Sequence, residues 1–177
     1  FIDNEDYFHN RLMTADKDGK EYSDNDERMI FFNLGVMEAI KKQRWCPEII
    51  HCNGWMSALA PLYAKSAYKD EPSFRDSKVI ISLFDNEFSE PLDKSFTQKL
   101  LCRDMNAECL GDLPENVTYI DLAKLAIRNC DGVIINGDNV PQELISYAET
   151  LGKAIMPKMP VEEFTAKCYD FYNSLLG

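Results

Sequence analysis

Pro47-Glu48-Ile49-Ile50-His51-Cys52-Asn53-Gly54-Trp55-Met56-Ser57-Ala58-Leu59 reads as a buried strand, a tight turn and the opening of a helix. Glu48 to Cys52 is a short apolar run, the pattern of a strand covered on both faces. Asn53-Gly54 is a turn signal. A helix is expected from Trp55 to Lys69, with Leu59, Leu62 and Tyr63 inward. Pro61 is expected to bend it, because proline removes a backbone donor and crowds the preceding turn.

Upstream, residues 1–23 read as a polar and aromatic loop with one short helix around Asp6 to Arg11 and a turn at Asp16-Lys17-Asp18-Gly19. A helix then starts at Asp24 or Asn25, either of which can accept hydrogen bonds from free backbone N–H groups. Met29, Phe32, Val36, Ala39 and Ile40 give it an apolar face, and Pro47 ends it. Downstream, Lys78 to Phe84 is a second buried strand and Asp85 to Pro91 an acidic loop. Phe96 to Leu110 is expected to be helical, Val117 to Ile120 extended, and Asp121 to Asn129 helical. Gly132 to Ile135 is a third strand, Pro141 to Leu151 a helix and Lys153 to Met156 a fourth strand. Val161 to Leu176 closes the chain as an amphipathic helix with Phe164, Cys168, Phe171, Tyr172 and Leu175 on one side.

Apolar strands alternating with helices imply parallel pairing through crossover helices. The expected fold is α/β: a doubly wound, mostly parallel sheet with helices on both faces. Ligands of such sheets bind beyond the carboxyl ends of the strands. Here those ends are Asn53-Gly54, Phe84 to Asn86 and Asn136 to Asn139, all rich in Asn, Asp and Gly.

The 177 residues are enough for one domain with a real core. With 19 basic and 30 acidic side chains the formal net charge is −11, which repels phosphate backbones and anionic headgroups. No nucleic-acid partner and no membrane association are expected. No apolar run approaches the length of about 20 residues that spans a bilayer. The six cysteines form no C-x-x-C pair and no zinc spacing, so free thiols and a cytoplasmic location are expected. The glycines never assemble into G-x-G-x-x-G, and no phosphate loop, nucleophile elbow or metal-ligand spacing is present. No cofactor, no metal and no catalytic residue are therefore assigned. His51 reads either as a core histidine or as an anchor at the strand end.

The 47–59 stretch resembles the Pro-Asp-(apolar)-(apolar)-His-(small)-His-Asp-Trp-His-Thr-Ala-Leu segment of bacterial glycogen synthases and plant starch synthases. Upstream, Asp16 to Arg28 is similar to that family's acidic loop and following helix start, and Phe1-Ile2-Asp3 to the end of its preceding strand. Downstream, Leu125 to Leu144 is similar to the helix–strand pair that ends its first domain. The resemblance implies the Rossmann-like half of a two-domain glycosyltransferase. That enzyme moves glucose from ADP-glucose to the end of an α-1,4-glucan with retention of configuration. On this reading residues 1–177 are one α/β domain that lacks its first strands and has no second glycosyltransferase domain.

Several positions depart from the family pattern. The family's second His and its Asp are Asn53 and Gly54. The position facing the sugar is Met56, whose thioether donates no hydrogen bond. The strand end Thr-Ile-His-Asn is Ser82-Leu83-Phe84-Asp85. The candidate substrate-binding residues are His51, Asn53, Trp55, Met56 and Asp85, with Trp55 equally readable as a core anchor. Two functions stand open: part of a synthase, or a single-domain relative that binds sugar, glucan or protein without catalysis. If the apolar side of the closing helix is exposed, a protein partner or homodimer is implied. An unrelated response-regulator-like or flavodoxin-like domain is the third reading. It lacks the expected phosphate loop or acidic cluster after the first strand.

Overall fold

A computed structural model describes residues 4–85 and 87–177. The expected strand end at Phe1-Ile2-Asp3 and the loop residue Asn86 lie outside the described residues. Four strands, β1 (Ile49–Asn53), β2 (Lys78–Leu83), β3 (Gly132–Ile135) and β4 (Ala154–Met156), pair in parallel in the order β1-β2-β3-β4. Among the described residues seven α-helices surround them: α1 (Glu5–Phe8), α2 (Asn25–Lys42), α3 (Leu59–Lys65), α4 (Phe96–Leu100), α5 (Tyr119–Asn129), α6 (Gln142–Thr150) and α7 (Val161–Leu176). The parallel α/β fold with helices on both faces is the one expected from the sequence.

The period of two along each strand separates two cores. Cys52, Val79, Ile81, Leu83, Val133 and Ile135 point into the larger one, shared with residues of α2, α3, α5 and α6. Ile80, Ile134 and Met156 point the other way and meet Cys168, Phe164, Phe171 and Leu175 of α7. The strand order is sequential, and consecutive right-handed crossovers in a sequential sheet all fall on one side. The second face is therefore left for α7. The helix comes very close at Gly132, where an added Cβ would lie 2.9 Å from Phe171 Cζ and 3.0 Å from Leu175 Cδ1.

Several local expectations change. The single helix from Trp55 to Lys69 is a 3-10 turn at Trp55–Ser57 followed by α3, which ends at Lys65. Gly54 sets this up with φ of 70°, a region open to glycine, and its N–H donates to Ser82 O at 3.1 Å. Pro61 produces no bend because it lies in the first turn of α3, where no intrahelical N–H is needed. The helix expected over Phe96 to Leu110 breaks after Leu100. Leu101 is extended and Arg103 has φ of 52°, and a separate 3-10 turn follows at Ala107–Leu110. The stretch expected to be extended at Val117 to Ile120 instead starts α5 early. Thr118 caps the helix and forms a reciprocal capping box with Asp121.

Asp24 sits at the N-cap of α2 without a side-chain cap bond. Its carboxylate is taken by Arg11, whose hydrogen bonds hold the Asp24 carboxyl below its usual range against the cost of burial. Arg28 is fully buried and donates to Tyr7 O at 2.9 Å, Leu12 O at 2.8 Å and Asn25 Oδ1 at 2.8 Å. It also lies over the rings of Phe8 and Tyr22. One cation thereby straps residues 7–22 onto α2. No helix among the described residues is long and apolar enough to cross a membrane. All six cysteines are free.

The Gly132 contact is testable. Gly132→Val is expected to lower unfolding free energy by about 1–3 kcal/mol through overpacking against α7. Urea denaturation checks this, and in a Phe171→Ala background the penalty of the valine should shrink.

Candidate functional site

The carboxyl ends of β1, β2 and β3 lie side by side, with Asn53 opposite Ser82 and Ile81 opposite Val133 in the register. The second face of the sheet is apolar under most of α7 and turns polar toward this end. His51 of β1, Ser82 of β2 and Asn136 just after β3 form a connected row. His51 Nε2 is 2.6 Å from Ser82 Oγ, and Asn136 Nδ2 donates to the same oxygen at 3.2 Å. On the other side of the imidazole, His51 Nδ1 is 2.6 Å from the Tyr172 hydroxyl of α7. In the neutral ring one nitrogen donates and the other accepts, so both ring positions are in use.

Burial lowers the pKa of His51. Burial also raises that of Tyr172, and a hydrogen bond with Cys168 adds to the rise. Burial thus favours the neutral form of His51, whose ring is clamped between a strand hydroxyl and the closing helix. It is both half-buried and at the strand end. Ser82 is fully buried, so no ligand reaches its hydroxyl.

Asp85 is exposed just beyond β2. Its two carboxylate oxygens accept from the backbone N–H groups of Asp138 at 2.8 Å and Asn139 at 2.7 Å, which ties the β2 and β3 loops together. Asn53 is exposed, and its amide makes one long bond, 3.5 Å, to His51 O. Trp55 is 5% exposed and Met56 8%. Trp55 packs edge-on against Phe88 with ring centroids 5.1 Å apart. Met56 lies in the core, and its carbonyl accepts from the Asn33 side chain at 2.8 Å. The structure therefore brings His51 and Asn53 together on one strand and Asp85 to the neighbouring loop. Trp55 and Met56 turn inward beneath them.

The surroundings are acidic. Burial pushes the Tyr119 hydroxyl up to about 12, with Glu87 and Asp85 adding to the rise. Burial opposes the charge on Lys99, but its bonds to Asp26 and Glu27, each 2.8 Å, raise its pKa. Lys158 is paired with Asp138. Tyr172 and Arg28 carry part of the polar organisation of this region and were not singled out from the sequence, whereas Ser82 and Asn136 were named there as strand-end residues without a role. Tyr172 had been counted only as part of an apolar stripe.

Comparison with known proteins fits this arrangement. The family model described as the starch synthase catalytic domain matches residues 1–156. The chain belongs to this family. A glycogen synthase of Pelodictyon phaeoclathratiforme is 29% identical over 178 residues, covering 99% of this chain and 35% of the relative. A glycogen synthase of Chlorobium luteolum is 31% identical over 132 residues, covering 74% of this chain and 26% of the relative. The chain thus spans about a third or less of the length of these relatives. Among solved structures, the catalytic domain of starch synthase IV from Arabidopsis thaliana bound to ADP and acarbose superposes with a TM-score of 0.58. It is 14% identical, over 78% of this chain and 30% of that one, and so supports the fold.

The buried imidazole makes stability depend on pH. The unfolded chain protonates His51 near 6.5, while the folded chain resists protonation. The contribution is therefore present above pH 6.5 and is lost as pH falls through that value toward the lower folded pKa. Urea unfolding of the wild type should lose stability between about pH 7 and pH 5, and His51→Gln should flatten this part of the profile. Tyr172→Phe is expected to cost about 0.5–1.5 kcal/mol at pH 7.5, read from the same curves.

Proposed function

We propose that this chain forms the N-terminal Rossmann-like part of a cytoplasmic glucosyltransferase. Its reaction is transfer of glucose from ADP-glucose to the end of an α-1,4-glucan. The observation that carries the reading is the family match over residues 1–156 on a parallel sheet whose carboxyl ends gather His51, Asn53 and Asp85. In this reading His51, Asn53, Trp55, Met56 and Asp85 shape the sugar side of the site. His51 and Asp85 hold its walls, and Trp55 and Met56 support it from below. Transfer of this kind is mainly positioning of donor and acceptor with charge stabilisation of the departing diphosphate. Lys99 and Lys158 are held by carboxylates.

One observation favours a second reading, a relative that binds sugar, glucan or a protein partner without catalysis. Both nitrogens of His51 are engaged by Tyr172 and Ser82, and Met56 stands buried where the family has a residue facing the sugar. The apolar side of α7 that a homodimer or protein partner was expected to use packs on the sheet, so such a partner would have to use the exposed Tyr169 and Leu176 instead.

Incorporation of radiolabelled glucose from ADP-glucose into glycogen by the full-length protein decides between them. The transferase reading expects incorporation above the no-enzyme control. Background incorporation together with measurable maltooligosaccharide binding selects the second reading.

A further inference from the structure

The segment between α4 and α5 holds three sulfur side chains, Cys102, Met105 and Cys109, each half-buried against the larger core. Two tight turns shape it. The Met105 N–H donates to Cys102 O at 3.1 Å, and the Cys109 N–H donates to Asn106 O at 3.1 Å. Across the first turn the Cys102 thiol donates to the Met105 sulfur at 3.8 Å. This turn carries Arg103 at φ of 52°, a left-handed conformation that costs a non-glycine residue energy. The Arg103 side chain holds it in place. Its guanidinium lies 4.4 Å from the centre of the Tyr68 ring and pairs with Glu38 at 3.1 Å and Glu71 at 2.9 Å. The second turn is fixed by Arg128, which donates to Cys109 O at 2.8 Å. Met105 and Cys109 line one cavity of about 540 Å³. Lys65, also in its wall, reaches Ser77 O and Asp131 just before β2 and β3. The cavity therefore opens at the amino ends of the strands, opposite the site at their carboxyl ends. Below it the Tyr63 hydroxyl is buried without a hydrogen-bond partner among the described residues. Burial raises its pKa, and the neighbouring Cys102 adds to the rise.

We propose that Cys102, Met105 and Cys109 form a binding site for one soft monovalent metal ion, Cu(I). The inference is independent of the transferase reading. Its geometric basis is the sulfur pair. Two sulfurs bonded to one ion at about 2.3 Å, with an angle of about 110° between the bonds, lie about 3.8 Å apart. An ion that replaces the Cys102 thiol proton therefore fits the pair as it stands. Cys109 lies on the same cavity wall as Met105 and supplies the third sulfur. The donor set chooses the ion. Thiolates and thioethers are soft and polarisable and favour Cu(I), whereas a thioether is a poor ligand for Mg²⁺ or Ca²⁺. The spacing Cys102-x-x-Met105-x-x-x-Cys109 is also not one of the Cys/His spacings of zinc sites. Among the described residues no three His, Cys, Asp or Glu side chains converge on a metal ion. Burial raises the Cys102 pKa, so the thiol keeps its proton until a metal displaces it. Each coordinating thiol gives one proton to solvent and the ion stays Cu(I), so no electron is transferred. The thiolate then formed at Cys102 is an acceptor beside the Tyr63 hydroxyl, whose O–H lacks one.

The test is anaerobic titration of the reduced full-length protein with Cu(I) held by the coloured chelator bicinchoninate, read from loss of the chelate colour. Transfer of one equivalent of Cu(I) to the protein is expected. Cys102→Ser and Cys109→Ser should each weaken uptake about a hundredfold, and Met105→Leu about tenfold. Cys46→Ser removes an exposed thiol outside this segment and should leave uptake unchanged. Copper K-edge X-ray absorption on the loaded wild type needs no variant to fold, and is expected to show only sulfur neighbours, at about 2.3 Å. Uptake that is unchanged in Cys102→Ser, or that is lost in Cys46→Ser, overturns the proposal. Retention of all the Cu(I) by the chelator does so too, as does nitrogen or oxygen as the main neighbour of the bound copper.

Discussion

A parallel sheet needs cover on both faces, and a sequential strand order supplies cover to only one of them. This constraint shapes the rest of the molecule. The crossover helices α3, α5 and α6 share a core with one face of β1 to β4, and α2 joins them. The other face exposes Ile80, Ile134 and Met156, which α7 covers together with Met159 just before it. Gly132 lets the helix come close enough to do so. Phe171 and Leu175 then close over the strand, and Tyr172 arrives at His51. The apolar packing of α7 and the polar clamp on the imidazole are consequences of one docking event.

That geometry bears on the site. The family resemblance points at His51 through Met56, and the structure gives these residues unlike roles. His51 is fixed by partners 31 and 121 residues away in the chain, Ser82 and Tyr172. Trp55 and Met56 support the turn from inside the core, where a thioether is well suited and a charged or strongly polar side chain would be costly. The positive φ at Gly54 suits a residue without a Cβ. The substitutions at 53, 54 and 56 are thus compatible with a well-packed strand–turn–helix unit.

Much of the architecture was legible in the sequence because parallel strands buried on both faces leave continuous apolar runs, as at Lys78 to Leu83 and Gly132 to Ile135. The long helices α2 and α7 were equally plain as helices, but α2 buries Met29, Asn33 and Met37 and leaves Phe32 and Val36 of its expected apolar face only partly covered. The boundaries that failed were set by single backbone conformations. Arg103 adopts positive φ and diverts a segment whose composition is helical throughout, while Gly54, already legible as a turn, leads into a 3-10 turn where the first turn of an α-helix was expected. The start of α5 was readable in the Thr118-x-x-Asp121 pattern, a capping box that outweighs the β-branched residues before it. The pairing of His51 with Tyr172 was not readable. Apolar periodicity places Tyr172 on the inner side of α7 but does not say which strand residue its hydroxyl meets. The buried Arg28 escaped for a related reason, since its partners are mostly backbone carbonyls, which carry no sequence signature.

The central claim is that α7 is the required second layer of the sheet. Removing residues 161–177 tests it most directly, with cooperative urea unfolding and dye binding to exposed apolar surface as readouts. The shortened protein is expected to bind the dye strongly and to lose its cooperative transition, because Ile80, Ile134 and Met156 are then open to water. A sharp transition within about 1 kcal/mol of the full chain, without dye binding, would contradict the account.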